Sequence, residues 1–288
     1  MSHADPEVTA TIAALVVYPV KSCAGVPVQE VVLTETGLDL DRAWMVVDAQ
    51  GCFVSQRELP RMALIRPQLK TYEIVLRAPG MLALHLAIDT VETPVRVEVW
   101  DDEVSAYDMG AVAAQWFSDF LGEPLRLVRF DPAHRRLSSP KWTGGVEAPN
   151  QFSDGFPVLV TSEASLDELN GRLAAAGHER VEMARFRPNL VLGGVQAHDE
   201  DRLDLLRITT DGGVAELKPV KPCARCPIPN IDPATAAFSP AVGDTLQAYR
   251  QDSRVNGAVT FGMNAIVVQG DGLLLRVGQV VEADFRFD

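Results

Sequence analysis

The chain has 288 residues, of which 47% are hydrophobic, and its formal net charge is −13. This size and apolar content suffice for two packed domains or one large one. The negative charge argues against nucleic acid or an anionic membrane as the main partner, because both require clustered Lys and Arg. No uncharged apolar run approaches the roughly 20 residues of a membrane span, and residues 1–7 lack a secretory signal. We therefore expect a folded cytoplasmic protein with four reduced cysteines.

The first 107 residues predict a β-rich half, because their apolar residues fall in short runs separated by turn residues. A turn at 48–51 would lead into a strand at 52–55, and Asp101-Asp102 would lead into another at 104–106. The other strands predicted here are 12–18, 28–33, 43–47, 73–76, 82–86 and 95–100.

A short helix is predicted next, because apolar residues recur at helical spacing and Gly122 suits a C-terminal cap. These residues are Val112, Trp116, Phe117, Phe120 and Leu121. Residues 131–155 are rich in Pro, Ser, Gly and charge, and they predict a long loop. We place a domain boundary within 125–150 and divide the chain into domains at 8–125 and 126–286.

The second half begins with a predicted strand at 156–161, followed by a helix that Ser162 or Ser165 would cap. Leu166, Leu169 and Leu173 share one face of this helix, and Gly177 follows it. Further strands are predicted at 190–192, 215–217, 258–261 and 265–268.

The segment KPCARCPIPNID at 221–232 places Cys223 and Cys226 on either side of Arg225. A thiolate is both a nucleophile and a soft metal ligand, and the positive charges of Lys221 and Arg225 would stabilise it. The flanking prolines exclude a regular helix and predict a stiff loop. This segment is the first candidate for chemistry.

Other interpretations of the cysteine pair are open. Zinc would need a second ligand pair, and neither Cys23, Cys52 nor the five scattered histidines supplies one at zinc spacing. A thioredoxin-type dithiol normally begins a helix in a βαβ unit, whereas prolines follow Cys226 here. Both thiols would otherwise be buried as small apolar groups.

Arg187 and Asn189 stand directly before the predicted strand at 190–192, and Arg185 lies two residues earlier. The guanidinium donors match the geometry of phosphate, and Asn189 adds a donor and an acceptor. The alternative is a surface ion pair with Glu182, which would contribute little.

Lys21 and Ser22 similarly end the first strand in a loop that offers a cation, a hydroxyl and backbone donors to an anion. The glycine spacing of a Walker loop is absent, and a turn with a solvated lysine is the alternative. Arg42 follows two acidic residues, so a salt bridge with Asp39 or Asp41 explains it without a ligand.

Five short motifs together resemble the MOSC family, and more closely its amidoxime-reducing branch. They are YPVKSC at 18–23, DRAW at 41–44, SEASL at 162–166, RFRPN at 185–189 and CARC at 223–226. The resemblance extends in order from about residue 11 to 285 and implies a β-rich α+β fold. In that fold an N-terminal β-barrel-like domain precedes a MOSC β-barrel domain with a few helices.

The resemblance implies a molybdenum cofactor between the two domains, with Cys226 as metal ligand and catalytic residue and Cys223 in a supporting position. Arg225 would adjust the metal's potential through its charge. The remaining implied cofactor contacts are Lys21, Ser22, Arg42, Arg57, Asp154, Gly155, Arg187 and Asn189. Pyridoxal phosphate binding is a second expectation attached to the family.

The implied reaction is a two-electron reduction of amidoximes, hydroxylamines or N-hydroxylated bases. The sequence has no ferredoxin cysteine spacing and no membrane anchor, so electrons are expected from a separate soluble donor. A ferredoxin, a flavoprotein reductase or a b-type cytochrome would serve. The alternatives are a sulfur carrier with a persulfide on Cys226 and a protein that only binds the cofactor.

Overall fold

The structure is a computed structural model that describes residues 6–90 and 93–286. Strands dominate its first half, as the short apolar runs predict. They are β1 Val8–Val17, β2 Val26–Val28, β3 Glu30–Thr34, β4 Gly37–Leu38, β5 Trp44–Val47, β6 Arg66–Leu69, β7 Glu73–Arg77, β8 Leu84–Ala87, β9 Thr93–Val99, β10 Asp102–Asp108 and β11 Arg126–Phe130. Helix α1 spans Gly110–Leu121, and a 3₁₀-helix spans Pro60–Leu64.

The second half is also built mainly from strands. They are β12 Val158–Ser162, β13 Leu190–Gly193, β14 Leu206–Thr210, β15 Gly213–Ala224, β16 Gln251–Asp252, β17 Ala258–Gln269, β18 Leu274–Arg276 and β19 Val280–Ala283. The α-helices are α2 Pro140–Thr143, α3 Glu163–Ala175 and α4 Ala241–Gln247. The 3₁₀-helices are Met183–Arg185, Asp199–Asp201, Ile228–Asn230 and Ser253–Val255.

Seven strands close a barrel in the order β12-β13-β1-β19-β14-β15-β17, and β17 pairs back onto β12. Only β12 and β13 in this ring run parallel, and α3 connects them. Buried side chains fill the barrel, among them Ile12, Leu192, Ile208 and Leu217. Strand β1, which belongs to the first predicted domain, is therefore part of the barrel formed mainly by the second half. The predicted domain boundary after residue 125 stays a prediction.

Strand β5 separates two hydrophobic clusters of the first half. It lies at the edge of the sheet β5-β11-β10-β9 and is buried on both faces. Trp44 and Val46 pack toward α1, whereas Met45 and Val47 pack toward β9, β10 and Phe152. This alternation follows from the two-residue period of a strand.

Helix α1 confirms the predicted helix, with one correction to its buried face. Val112 is 75% exposed, and Ala113 is buried in its place. Counted from Ala113, the buried aromatic residues stand at i+3, i+4 and i+7, which is the usual spacing of the apolar face of a helix. Gly122 ends the helix with φ +83°, as predicted. Ser162 caps α3 by accepting a hydrogen bond from the Ser165 amide.

Three local predictions were wrong. Residues 52–55 form isolated bridges through Cys52 and Phe53 rather than a strand. The two strands expected at 258–261 and 265–268 are one strand, β17, with Gly262 inside it. The cysteine segment is not wholly a loop, because β15 continues through Cys223 and Ala224. Strand β15 contains two prolines, Pro219 and Pro222. Both lie at register shifts, where a missing N–H is tolerated.

Gly262→Ala is expected to destabilise the barrel strongly. Gly262 has φ +77°, and an added Cβ would lie 2.6 Å from the Val160 carbonyl oxygen. Gly257 has φ +76° but no atom within 4 Å of an added Cβ, so Gly257→Ala is the matched control. We expect the control to cost about 1 kcal/mol for its backbone conformation. Gly262→Ala should cost about 1–3 kcal/mol more from overpacking. Urea unfolding of both variants measures this, and equal costs would contradict the clash.

Candidate functional site

A cleft of about 380 Å³ opens where loops from both halves of the chain meet. Loops after β1 and β15, before β5, β12 and β13, and at residues 56–58 bring its side chains together. It is bordered by all nine residues that the family resemblance implied: Lys21, Ser22, Arg42, Arg57, Asp154, Gly155, Arg187, Asn189 and Cys226. Phe156, at the end of the implied Asp154 to Phe156 loop, also lines it, and so do Trp100 and Asn264, which sequence reasoning did not select.

The cleft is strongly basic although the chain as a whole is acidic. Its lining carries one carboxylate, Asp154, against five cationic side chains. The cations are Lys21, Arg42, Arg57, Arg187 and Arg225. Clustered cations with low-dielectric walls concentrate anions. The cleft is therefore suited to an anionic ligand.

Lys21 and Asp154 link the two halves across the cleft. Lys21 is 5% exposed, and its Nζ lies 2.5 Å from Asp154 Oδ1 and donates to the Phe152 carbonyl at 2.8 Å. Burial lowers the pKa of Lys21, and the Asp154 carboxylate opposes that effect. Burial alone would raise the pKa of Asp154, but the Lys21 ammonium outweighs it and holds this pKa below its ordinary value. The Asp154 carboxylate is therefore ionised at neutral pH.

Asn189 holds Arg42 in place. Arg42 Nη1 pairs with the buried Asp41 carboxylate, as the sequence alternative expected, and also donates to Asn189 Oδ1 at 3.0 Å. The same oxygen accepts from the Leu159 amide at 3.1 Å, and Asn189 Nδ2 donates to the Val16 carbonyl at 3.2 Å. Asn189 thus uses its amide on protein groups and fixes the guanidinium at the cleft wall.

Tyr18 lies between two guanidinium groups of the cleft. The Cζ atoms of Arg42 and Arg187 are 4.4 and 4.3 Å from its ring centroid. Burial raises the pKa of Tyr18 to about 12 and lowers that of Arg187 to about 10, so the phenol is neutral and the guanidinium charged at neutral pH. Arg187 Nη1 donates to the Cys23 carbonyl at 2.6 Å. Its buried Nη2 has no hydrogen-bond partner among the described residues.

The two thiols of the motif have different arginine partners. Arg225 lies beside Cys226 in sequence but donates through Nη1 to Cys223 Sγ at 3.0 Å. Arg57, from the first half, donates through Nη2 to Cys226 Sγ at 3.4 Å. The direct contact with the Cys226 sulfur is thus made by Arg57, and the influence of the Arg225 charge on position 226 stays a prediction. All four cysteines are free thiols.

Arg57 is itself held by neighbours from three segments. Its Nη1 donates to Ser55 Oγ at 3.2 Å, and its Nη2 lies 3.8 Å from Asp154 Oδ2. Its Cζ lies 4.9 Å from the centroid of the Trp100 ring. The guanidinium is thus oriented toward Cys226 before any ligand binds.

Backbone strain is concentrated at the cleft. Eight non-glycine residues of the described chain have positive φ, and four of them line the cleft. They are Ser22, Arg42, Trp100 and Arg187. Such conformations are costly and persist mainly where function requires a side chain at that position. The strain therefore supports this cleft as the candidate functional site.

Outside the cleft, the structure gives three further findings. Arg185 pairs with Asp232 at 3.0 Å rather than with Glu182, the partner in the alternative interpretation of this segment. Within residues 6–90 and 93–286, no group of three or more His, Cys, Asp or Glu side chains is placed to hold a metal ion. In the same ranges, no helix is long and apolar enough to cross a membrane.

Comparison with known proteins defines the class. Residues 9–124 match the MOSC N-terminal beta barrel domain, and residues 147–282 match the MOSC domain. The chain is 38% identical over 252 residues to mitochondrial amidoxime-reducing component 1 of Homo sapiens, covering 84% of this chain and 72% of that protein. It is 35% identical over 250 residues to component 2 of Homo sapiens, covering 83% and 72%. The chain therefore belongs to the MOSC family.

A more distant relative has a different name. The chain is 29% identical over 266 residues to molybdenum cofactor sulfurase of Homo sapiens, covering 86% of this chain and 29% of that protein. The amidoxime-reducing components and the sulfurase each match more than four fifths of this chain. The first name states a reduction, and the second states a sulfur-transfer reaction.

Proposed function

We propose that this chain is an oxidoreductase that reduces N-hydroxylated compounds with a molybdenum cofactor held in the cleft. One observation carries the proposal: a free thiol and five cationic side chains border a single cleft. The chain's identity to two amidoxime-reducing components supports the reaction class. The family resemblance supports the cofactor.

The residues present fit such a cofactor. Its phosphate is an anion, and the basic lining supplies guanidinium donors that match phosphate geometry. Arg187 Nη2 and Arg225 Nε are buried and have no hydrogen-bond partner among the described residues, so two donors of the lining residues are left unsatisfied by the protein. A Cβ at Gly155 would meet no atom within 4 Å, so space for a ligand exists there. The Cys226 thiolate is a soft ligand of the type that suits a transition metal.

Each residue then has a defined part. Cys226 would ligate the metal, and Arg57 would orient and stabilise its thiolate from 3.4 Å. Lys21, Ser22, Arg42 and Arg187 would hold the anionic part of the cofactor, with Asn189 fixing Arg42. Asp154 and Gly155 would border the cofactor from the loop before β12. When bound, the cofactor supplies the two-electron redox chemistry.

The overall reaction breaks the N–O bond of the substrate. An amidoxime takes up two electrons and two protons and yields an amidine and water. The chain lacks an electron-carrying cysteine cluster in its sequence, so a separate donor protein supplies the electrons. We propose a ferredoxin, a flavoprotein reductase or a b-type cytochrome. The free thiols suit a reducing compartment, and we propose a cytoplasmic location on that ground.

The test uses protein purified from a host that makes the cofactor. With a reduced viologen as electron donor, we expect benzamidoxime to be converted to benzamidine, measured by chromatography. We expect no conversion when the chain is given NADH alone, because it needs a separate donor. Metal-loaded protein that forms no benzamidine with the viologen would contradict the proposed reaction.

The sulfur-carrier alternative makes a different prediction for Cys226. It expects a persulfide on this thiol in protein that contains no molybdenum, and peptide mass spectrometry detects the added sulfur. The sulfurase relative is the observation behind this alternative. The relatives named above are not named for pyridoxal phosphate, and that expectation receives no support.

Gly155→Val is expected to lower cofactor content without harming the fold. The backbone at Gly155 does not have positive φ, and its Cβ position is open, so stability should change by less than about 0.5 kcal/mol. The valine would instead occupy space in the cleft. Molybdenum content and the urea midpoint are measured together, and Gly155→Ala gives an intermediate case. Undiminished molybdenum in both variants would contradict a cofactor beside this glycine.

A further inference from the structure

Trp100 occupies a backbone position that normally belongs to glycine. The hairpin of β9 and β10 has a two-residue loop, Trp100-Asp101, between the paired residues Val99 and Asp102. Trp100 has φ +56°, whereas Asp101 is not among the residues with positive φ. This pattern is that of a type II′ turn, in which glycine is usual at the first position. A bulky residue there is a marked outlier.

The indole is fixed by its neighbours yet remains accessible. Its ring centroid lies 4.9 Å from that of Phe53, and the guanidinium carbon of Arg57 lies over the ring, 4.9 Å from the centroid. The indole Nε1 lies 3.4 Å from Asp154 Oδ1. Trp100 is nevertheless 47% exposed and lines the cleft. Packing alone would not need a strained turn with half of the residue exposed. The arrangement instead presents an ordered aromatic surface to the cleft.

The other aromatic side chains of the cleft are covered. Phe186 is fully buried and stacks on Phe261 with a centroid separation of 3.9 Å. Phe156 is half-buried, with Lys221 Nζ 5.6 Å from its ring centroid. Of the aromatic residues that line the cleft in the described part of the chain, Trp100 is therefore the most exposed.

Trp100 also stands next to the reacting centre of the proposed function. Arg57 contacts the Trp100 face and the Cys226 sulfur, so a single side chain separates the indole from the thiol. A substrate whose N–O group lies beside Cys226 would extend its substituent past Arg57 to the exposed part of the indole. Flat aromatic groups stack on indole more favourably than small aliphatic groups do.

We propose that Trp100 is a specificity-determining residue that stacks an aromatic substituent of the substrate. This inference rests on the proposed function and names its substrate class. The chain would prefer aryl amidoximes to alkyl amidoximes that carry the same reacting group.

The test compares benzamidoxime with acetamidoxime, which has the same N-hydroxyamidine group and no ring. Wild type should have the higher kcat/KM for benzamidoxime. Trp100→Gly, which suits the turn, should lower this value roughly tenfold, mainly through KM, because about one aromatic contact is lost. Acetamidoxime should lose much less, and Trp100→Phe should keep most of the preference. Phe238→Ala removes an exposed aromatic side chain outside the cleft and should leave the ratio unchanged.

Binding of the product benzamidine, measured by titration calorimetry, gives a readout independent of turnover. We expect weaker binding to Trp100→Gly than to wild type and near wild-type binding to Trp100→Phe. If wild type reduces both amidoximes and Trp100→Gly keeps their ratio, the inference is wrong and the proposed function stands. If metal-loaded wild type reduces neither compound, the proposed function is wrong. The benzamidine titration then decides the stacking site, and equal binding by wild type and Trp100→Gly would overturn it.

Discussion

Cys226→Ala is expected to reduce bound molybdenum to background, whereas Cys223→Ala should retain it near the wild-type level. Both thiols border the cleft, but they face different arginines: Cys226 accepts from Arg57, and Cys223 accepts from Arg225. Loss of the Cys226 thiolate would remove the proposed soft ligand, while the basic wall proposed to hold the phosphate would remain. Metal analysis of the three proteins, expressed side by side in a cofactor-competent host, measures the difference.

The two cysteine variants control for each other, because each removes one partly buried sulfur from the same segment. Equal unfolding midpoints would show that the fold is not the cause of a difference in metal content. Loss of molybdenum from Cys223→Ala with retention in Cys226→Ala would reverse the assignment of the ligand.

Arg42→Met is expected to lower the free energy of unfolding by about 3–5 kcal/mol, the usual cost of removing one partner from a buried ion pair. The pair is well shielded, with side-chain exposures of 13% for Arg42 and 2% for Asp41. Removing the guanidinium leaves the Asp41 carboxylate buried without its cation, although the Tyr18 amide still donates to Oδ1 at 2.7 Å. Urea unfolding measures the loss.

Two further variants sharpen this test. Asp41→Asn combined with Arg42→Met should recover most of the lost stability, because the uncompensated charge is gone and Oδ1 still accepts from Tyr18. It should not recover cofactor binding, because the cation is absent. Arg180→Met removes an exposed pair with Asp167 and should leave the midpoint nearly unchanged. A cost for Arg42→Met no larger than that control would contradict the buried-pair account.

Part of the cleft was accessible from the residues alone, because short motifs carry groups suited to an anion. Arg42, Arg57, Asp154 and Gly155 came only from the family resemblance. Lys21, Ser22 and Arg187 each stand in a loop next to an apolar run, and such positions bring polar groups to the edge of a strand. The contacts among the cleft residues were not accessible. Asn189 uses its amide on Arg42, which lies 147 positions away, and no local spacing indicates that bond.

The same limit applies to Arg57 and to the barrel. Arg57 contacts a thiol 169 positions away, whereas Arg225, the neighbour in sequence, contacts the other thiol. A short apolar run predicted β1 as a strand, but such a run does not specify the partner strands, which are β13, β19 and β2. Which strands pair depends on how the whole sheet closes, so the partners of β1 could be identified only from the structure.

The most direct test of the cofactor cleft is metal and phosphate analysis of the wild-type chain, purified from a host that makes the cofactor and then denatured to release it. We expect stoichiometric molybdenum together with an organic phosphate, and both should be lost when Cys226 is replaced by alanine and Arg187 by methionine. Protein that reduces benzamidoxime while containing no molybdenum would contradict the account.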